Sequence, residues 1–251
     1  MRRLLIAAAL LFLASTPVLA TDITANITAA VAAPERSDMD RERDKRDHPA
    51  ELMTFAGIAP GMKIADVFGG GGYWTELMAR AVGPTGSVRL VNNAPYFNFA
   101  NKELKLHFDA NRLTNAEQVT VETCNLKLGK EAFDLIVIFM SYHDLYYIDE
   151  KDGWPEINAG GFLDQLHAAL KPGGHLLIVD HAAAAGTGKS VASELHRIEE
   201  SFAKQDISSH GFKLEKTWDG YRNPGDDVTK LVFDPAVRGK TDRFTHLYAK
   251  R

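Results

Sequence analysis

The stretch Phe139–Tyr147, "FMSYHDLYY", places a histidine, a carboxylate and three tyrosines within nine residues. Histidine is the side chain whose ordinary pKa lies nearest neutrality, so His143 is a candidate general base. Asp144 would orient it or act directly. Tyr142 would pack on a ligand or hydrogen-bond a substrate. The bland alternative is a loop histidine that caps or packs. Asp180-His181, further along the chain, could join His143 and Asp144 in a metal cluster. Ligand spacing drawn from two loops is not diagnostic, so no metal is expected.

A second chemical signal is "KIADVFGGGGYWTEL", Lys63–Leu77, in which four glycines follow an apolar run and precede a helical pattern. A linker would not sit between a buried strand and a helix. A glycine-rich turn there lets backbone approach a ligand and opens the next helix toward it. The dinucleotide fingerprint G-x-G-x-x-G fails, because its last position falls on Trp74 or Thr75. A phosphate loop fails too, since no Gly-Lys-Ser/Thr follows.

These residues need elements to hold them. Apolar runs of strand length lie at 63–68, 87–92, 118–124, 133–139 and 175–180. Their continuous apolar character suits strands buried on both faces. Helical patterns fall between them at 73–81, about 98–112 and 161–170, and Gly83–Gly86 and Lys171–Gly174 stop the first and third. The alternation predicts an α/β, doubly wound, mostly parallel seven-stranded sheet of Rossmann-like type. After a predicted helix over 190–205, the segments 212–218 and 243–250 read as strands with only turn-rich sequence between them. They predict an antiparallel pair closing the sheet. In such a sheet ligands bind beyond the C-terminal strand ends, where both chemical stretches fall.

"ADVFGGGGYWTELMA" resembles motif I of class I S-adenosylmethionine-dependent methyltransferases: an acid, then Gly-x-Gly-x-Gly. Asp66 takes the acidic position, and Gly70 and Gly72 the second and third glycines. Phe68 stands where the first belongs, with Gly69 adding freedom one residue later. "LHAALKPGGHLLIVD" resembles the family's fifth-strand region, and the likeness runs from about His48 to the end. It is similar to a group of exported methyltransferases with a Gly-Gly-Tyr-x-Thr turn, which includes Tyr73. The resemblance implies S-adenosyl-L-methionine as cofactor. It implies a ribose contact at Asn92, where the family has an acid, and an adenine contact at Asn125. It implies contacts to the methionine part and substrate from the loop holding Ser141 and Tyr142. The expected activity is methyl transfer to a small-molecule or cell-envelope acceptor; the alternative is a non-catalytic ligand-binding module on the same fold.

Composition sets the remaining bounds. The 251 residues are 45% hydrophobic and 25% charged, with a net charge of −4. No broad basic surface advertises nucleic acid. "MRRLLIAAALLFLASTPVLA" has the charged start, short apolar run and small-residue end of a secretory signal, so residues 1–20 are expected to be removed and the protein exported, to the periplasm, without stable membrane insertion. Residues 21–47, alanine- and threonine-rich and then almost all charge, read as a flexible solvated arm, with a helix toward its end as the alternative, before a methyltransferase-like domain over 48–251. Arg43 or Arg46 reaching a ligand is the functional alternative. Cys124, the lone cysteine, reads as a buried small hydrophobe. Trp74 and Trp154 read as packing residues, with Trp154 in an insertion that could cover the site. His196-Arg197, Arg222 and Asp226-Asp227 are candidates for a lid over a polar substrate, or for plain ion pairs.

Overall fold

The computed structural model describes residues 20–109 and 112–251. The predicted signal segment lies outside the described residues, apart from Ala20. Seven strands form one sheet: β1 (Lys63–Val67), β2 (Ser87–Asn92), β3 (Ala116–Thr120), β4 (Phe133–Phe139), β5 (Leu170–His181), β6 (Phe212–Thr217) and β7 (Arg243–Lys250). Their order is β3-β2-β1-β4-β5-β7-β6. β1 to β5 run parallel, and β7 lies antiparallel between β5 and β6. The chain therefore reverses its direction of travel across the sheet between β1 and β4.

Both sheet faces are covered, which is why the central strands are apolar throughout. On one face Ala65, Ile136, Ile138, Leu176 and Ile178 pack against α6 (Ala159–Ala169) and α8 (Glu200–Ser209), through Phe162, Leu166, Ala203 and Ile207. On the other, Ile64, Leu135, Val137 and Leu177 meet Leu77 and Met78 of α4 (Tyr73–Val82) and Leu52 and Met53 of α3 (Pro49–Phe55). α5 (Ala94–Phe108) covers Leu90 of β2 with Ala100 and Leu104. Among the described residues no helix is long and apolar enough to cross a membrane.

Residues 21–47 are not a solvated arm. α1 (Ala20–Ala32) packs on α4 and α3, and α2 (Asp38–Asp47) follows. The buried side chains of α1 are Ile27 and Ala30, with Ile23 and Val31 beside them. That is an i, i+4, i+7, i+8 stripe, diluted by small residues between its members. The charge run of α2 folds because its charges meet one another and the domain. Arg36, 3% exposed, makes a two-pronged pair with Asp44 at 2.6 and 2.7 Å. Asp47, wholly buried, pairs with Arg43, Arg46 and Arg243. His107 of α5 reaches Asp40 at 3.0 Å. Buried charges persist only when partnered in this way. Arg43 and Arg46 are thus engaged within this network.

Three further expectations change. The helix predicted over 190–205 is two pieces, α7 (Ala192–Leu195) and α8. Between them His196 is left-handed (φ 51°), and Ile198 bridges to Ala182 beside the end of β5. Lys171–Gly174 is a bulge within β5: Leu170 pairs with Phe133, and pairing resumes at His175 with Leu135. Cys124 is exposed, because the chain turns back between Glu122 and Asn125 instead of continuing β3.

If α1 is part of the core, Ile27→Ala should cost about 2–4 kcal/mol in urea denaturation, as for a buried isoleucine. A solvated arm would show no change.

Candidate active site

β1 and β4 are each followed by a non-glycine residue in the left-handed region: Phe68 at φ 56° and Met140 at φ 55°. Such residues are uncommon, and strain of this kind gathers at functional sites. The two breaks lie side by side where the strand order reverses, and the two chemical stretches follow them directly.

The loop after β4 is tied to the end of β5 by one carboxylate. Asp180, wholly buried, accepts the His143 backbone N–H at 2.6 Å, its Nδ1–H at 2.8 Å and the His181 backbone N–H at 2.7 Å. His143 Nε2 faces Asp144 Oδ1 and His196 Nδ1, each at 3.2 Å. The other Asp144 oxygen accepts from the Tyr96 hydroxyl of α5. Burial by itself would drive the His143 ring neutral; Asp144 and Asp180 outweigh it and raise its pKa to about 10. Burial pushes Asp144 up, but His143 and hydrogen bonds from His196 and Tyr96 hold it well below the carboxylate range. At neutral pH and without another cation, His143 is therefore a charged donor and not the free base that the sequence suggested. His181 is the neutral imidazole here: burial, then His143, Arg243 and Arg197, push its pKa far down.

These groups form one end of a cavity of ≈ 520 Å³. Its walls are Tyr96, Phe99, Tyr147, Trp154 and Phe233, with Met140 and His181. Trp154 lines it and donates its indole N–H to the Asp144 carbonyl at 3.2 Å. Trp74 is a core residue against Phe139. His196 reaches the cavity because Arg197 behind it is fully buried, bonded to Asp226 at 2.7 Å and to the Ala182 carbonyl. The sequence offers His196, Arg197, Arg222, Asp226 and Asp227 as a substrate lid or as plain ion pairs. In the fold only His196 faces ligand space; Arg197–Asp226 is its scaffold, and Arg222 pairs with Glu200 and Asp242.

The glycine turn differs in detail from expectation. Gly70 (φ 58°) and Gly72 (φ 94°) require glycine, and nothing lies within 4 Å of where a Gly70 side chain would start. A side chain at Gly69 would strike Asp66 and Leu90, and one at Gly71 would strike Glu103. Asn92 is wholly buried, accepting from Gly70 N–H at 3.1 Å and donating to Gly70 C=O at 2.9 Å. It clamps the turn with one amide N–H and one oxygen lone pair, so the residue expected at the ribose is engaged with Gly70 itself. A carboxylate could make only one of those two bonds. Phe68 packs its ring on Tyr96, Phe162 and Trp154 at 5.0–5.9 Å. Tyr73 donates to Asp44 at 2.6 Å beneath the Arg43 guanidinium, anchoring α2. Neither side chain is free for a ligand. Tyr142 is also diverted: it is fully buried and its hydroxyl goes to Asp206 of α8, away from the cavity. Ser141 is buried and donates to the Phe139 carbonyl at 3.4 Å. Asn125 is exposed and closes its own turn by accepting from Lys127 N–H.

Comparison with known proteins decides what kind of site this is. A methyltransferase-domain family matches residues 39–216. The chain belongs to this family. It is an S-adenosylmethionine-dependent methyltransferase. Curated relatives include ubiquinone/menaquinone biosynthesis C-methyltransferases. That of Shewanella pealeana is 24% identical over 190 residues, covering 72% of this chain and 68% of the relative. That of Idiomarina loihiensis is 24% identical over 196 residues, covering 74% and 70%. A solved S-adenosylmethionine-dependent methyltransferase from Aquifex aeolicus shares the fold at 19% identity and a TM-score of 0.57, covering 80% of this chain and 88% of that one. The arsenic(III) methyltransferase of Chlamydomonas reinhardtii does so at 17% identity and 0.57, covering 90% and 73%.

The methyltransferase turn fits the cofactor at two points. Gly70 leaves an open backbone cradle. Beside it Asp66 is wholly buried, with Oδ2 accepting from Thr75 at 2.6 Å and Oδ1 lacking any partner. An unpaired buried acceptor calls for a donor, and the cofactor's ammonium is one. Burial raises the Asp66 pKa from 3.8 to about 6.

Two outcomes follow. Asn92→Asp should lose about 1–3 kcal/mol in urea denaturation, since it removes the bond to the Gly70 carbonyl and buries a charge; equal stability with tighter cofactor binding would show that residue 92 faces the ribose. The raised Asp66 pKa means that the ligand-free folded state binds the proton more tightly than the unfolded state. Its contribution is complete below pH 3.8 and is lost as pH rises through about 6. The Asp66 share should fall by up to about 3 kcal/mol across that window, against the opposite contribution of His181, whose depressed pKa makes stability grow with pH over the same range, so Asp66→Asn should gain on the wild type as pH rises from about 4 to 6, read from paired thermal melts at stepped pH.

Proposed function

We propose that the enzyme methylates a small, largely apolar, planar acceptor bearing a hydroxyl or similar group, held in the cavity beyond β4. The observation that carries this reading is the cavity itself: aromatic on its walls, with its polar groups gathered at the His143, Asp144 and His196 end. Phe99 and Phe233 are 89% and 54% exposed and line the same space. Large apolar side chains left open to solvent beside a pocket mark a place where an apolar partner settles. The named activity of the curated relatives, C-methylation in quinone biosynthesis, supports a ring-shaped acceptor.

When bound, S-adenosylmethionine supplies an electrophilic methyl group on a sulfonium sulfur. The chain's own residues do the rest. Gly70 and Asp66 hold the cofactor side, and Asn92 fixes the turn that presents them. Tyr147, Trp154 and Phe233 hold the acceptor flat and keep water out, which strengthens polar contacts at the far end. His143 and Asp144 bind the acceptor's polar group, and His181, held neutral, lies beside them. We also propose, from the leader-like residues 1–20, that the enzyme works after export.

Incubation with methyl-labelled S-adenosylmethionine and a panel of phenols, hydroquinones and aliphatic alcohols tests the reading. Label should pass to phenolic or quinol rings, and Trp154→Ala should raise KM about two- to tenfold, the scale of one lost aromatic contact. Preferential transfer to aliphatic or highly charged acceptors would contradict it.

A further inference from the structure

The cluster at the polar end of the cavity has donor atoms set as a metal would set them. His143 Nε2 lies 3.2 Å from Asp144 Oδ1 and 3.2 Å from His196 Nδ1, and the latter two are 3.7 Å apart. Ligand atoms bound tetrahedrally to zinc at about 2.0–2.1 Å stand roughly 3.3 Å from one another. The three edges already approach one face of that tetrahedron.

Each donor is also oriented from behind. His143 gives its other ring N–H to Asp180 at 2.8 Å, the arrangement that fixes a metal-binding tautomer and raises ligand basicity. Tyr96 holds the Asp144 oxygen that does not face the cluster. The His196 ring stacks on Tyr147 at 4.7 Å and leans on Phe233 at 5.1 Å. Two carboxylates converge on His143, so the cluster carries surplus negative charge that a cation would offset. The second triad among the described residues, Asp40, Glu76 and His107, differs on this point. There Arg80 and Arg112 already pair with Glu76 at 2.7 and 2.9 Å, and the group locks α2, α4 and α5 together.

We propose that His143, Asp144 and His196 bind one divalent transition cation of the zinc class, leaving a fourth position open to the cavity. Three protein ligands with an open position are the pattern of a catalytic site, and two imidazoles with one carboxylate suit zinc or iron(II) more than magnesium or calcium. The ion would anchor the acceptor's hydroxyl oxygen; that role, unlike the binding itself, rests on the methyltransferase reading of the cavity.

The full chain, stripped with chelator, is titrated calorimetrically with Zn²⁺ alone and, separately, with S-adenosylhomocysteine. One Zn²⁺ per chain is expected, with Co²⁺ giving the visible absorption of a four-coordinate ion. His196→Ala should weaken Zn²⁺ binding at least about 100-fold. Asp180→Asn should weaken it about 10–100-fold, the usual effect of losing such a supporting carboxylate. His196→Gln, which keeps bulk against Tyr147 and Phe233, serves if the alanine variant does not fold. S-adenosylhomocysteine binding should be unchanged in the His196 variants, so the cofactor reading and the metal site fail separately. Absence of saturable Zn²⁺ binding, or equal affinity in the His196 variants, would overturn the proposal.

Discussion

The site depends on one buried carboxylate. Asp180 ends the apolar run of β5 and accepts three N–H groups, two of them from His143. It therefore sets both the path of the loop after β4 and the orientation of the imidazole in it. Remove that acceptor and His143 loses its direction, Asp144 its partner, and the cavity its polar end. Such a carboxylate is tolerable in the core because all its strong donors are local and preorganised, which offsets the cost of burial. Ala182 and Ile198 then extend the same strand end outward and present His196 from the opposite wall.

The glycine turn shows a different solution to a similar constraint. A left-handed turn between β1 and α4 has backbone groups that need partners, and Asn92 supplies both a donor and an acceptor to Gly70. The amide thus answers to the turn's internal geometry. Above it, α2 is fastened by Tyr73–Asp44, Arg36–Asp44 and His107–Asp40, so the helix at which the match to known methyltransferase sequence begins is part of the architecture that surrounds the turn.

The parallel core was legible because burial on both faces leaves long apolar runs: β2, β4 and β7 begin and end at the expected residues, and β1 and β6 fall one residue short. The antiparallel closure was legible from the missing helix between 218 and 243. Where long-range partners decide the outcome, the sequence was silent. The stripe of α1 is built largely from alanine and isoleucine and needs α4 to become a core face. The charges of α2 look solvated until Arg243 and His107 arrive from far along the chain. His196 was visible as a candidate but not its meeting with His143, because a left-handed break inside an apparently helical pattern aims it. Tyr142 and Asn92 were legible as residues at the strand ends' crevice, but their partners in the fold, Asp206 and Gly70, come from elsewhere in the chain and were not.

The central claim is that this turn and these strand ends hold S-adenosylmethionine beside an acceptor cavity. Calorimetric titration of the folded chain with S-adenosylhomocysteine tests it most directly. The account predicts one site of roughly micromolar affinity, about −8 kcal/mol, weakened at least tenfold by Gly70→Val in a variant shown to be folded. No heat of binding to demonstrably folded protein, or binding indifferent to Gly70→Val, would contradict it.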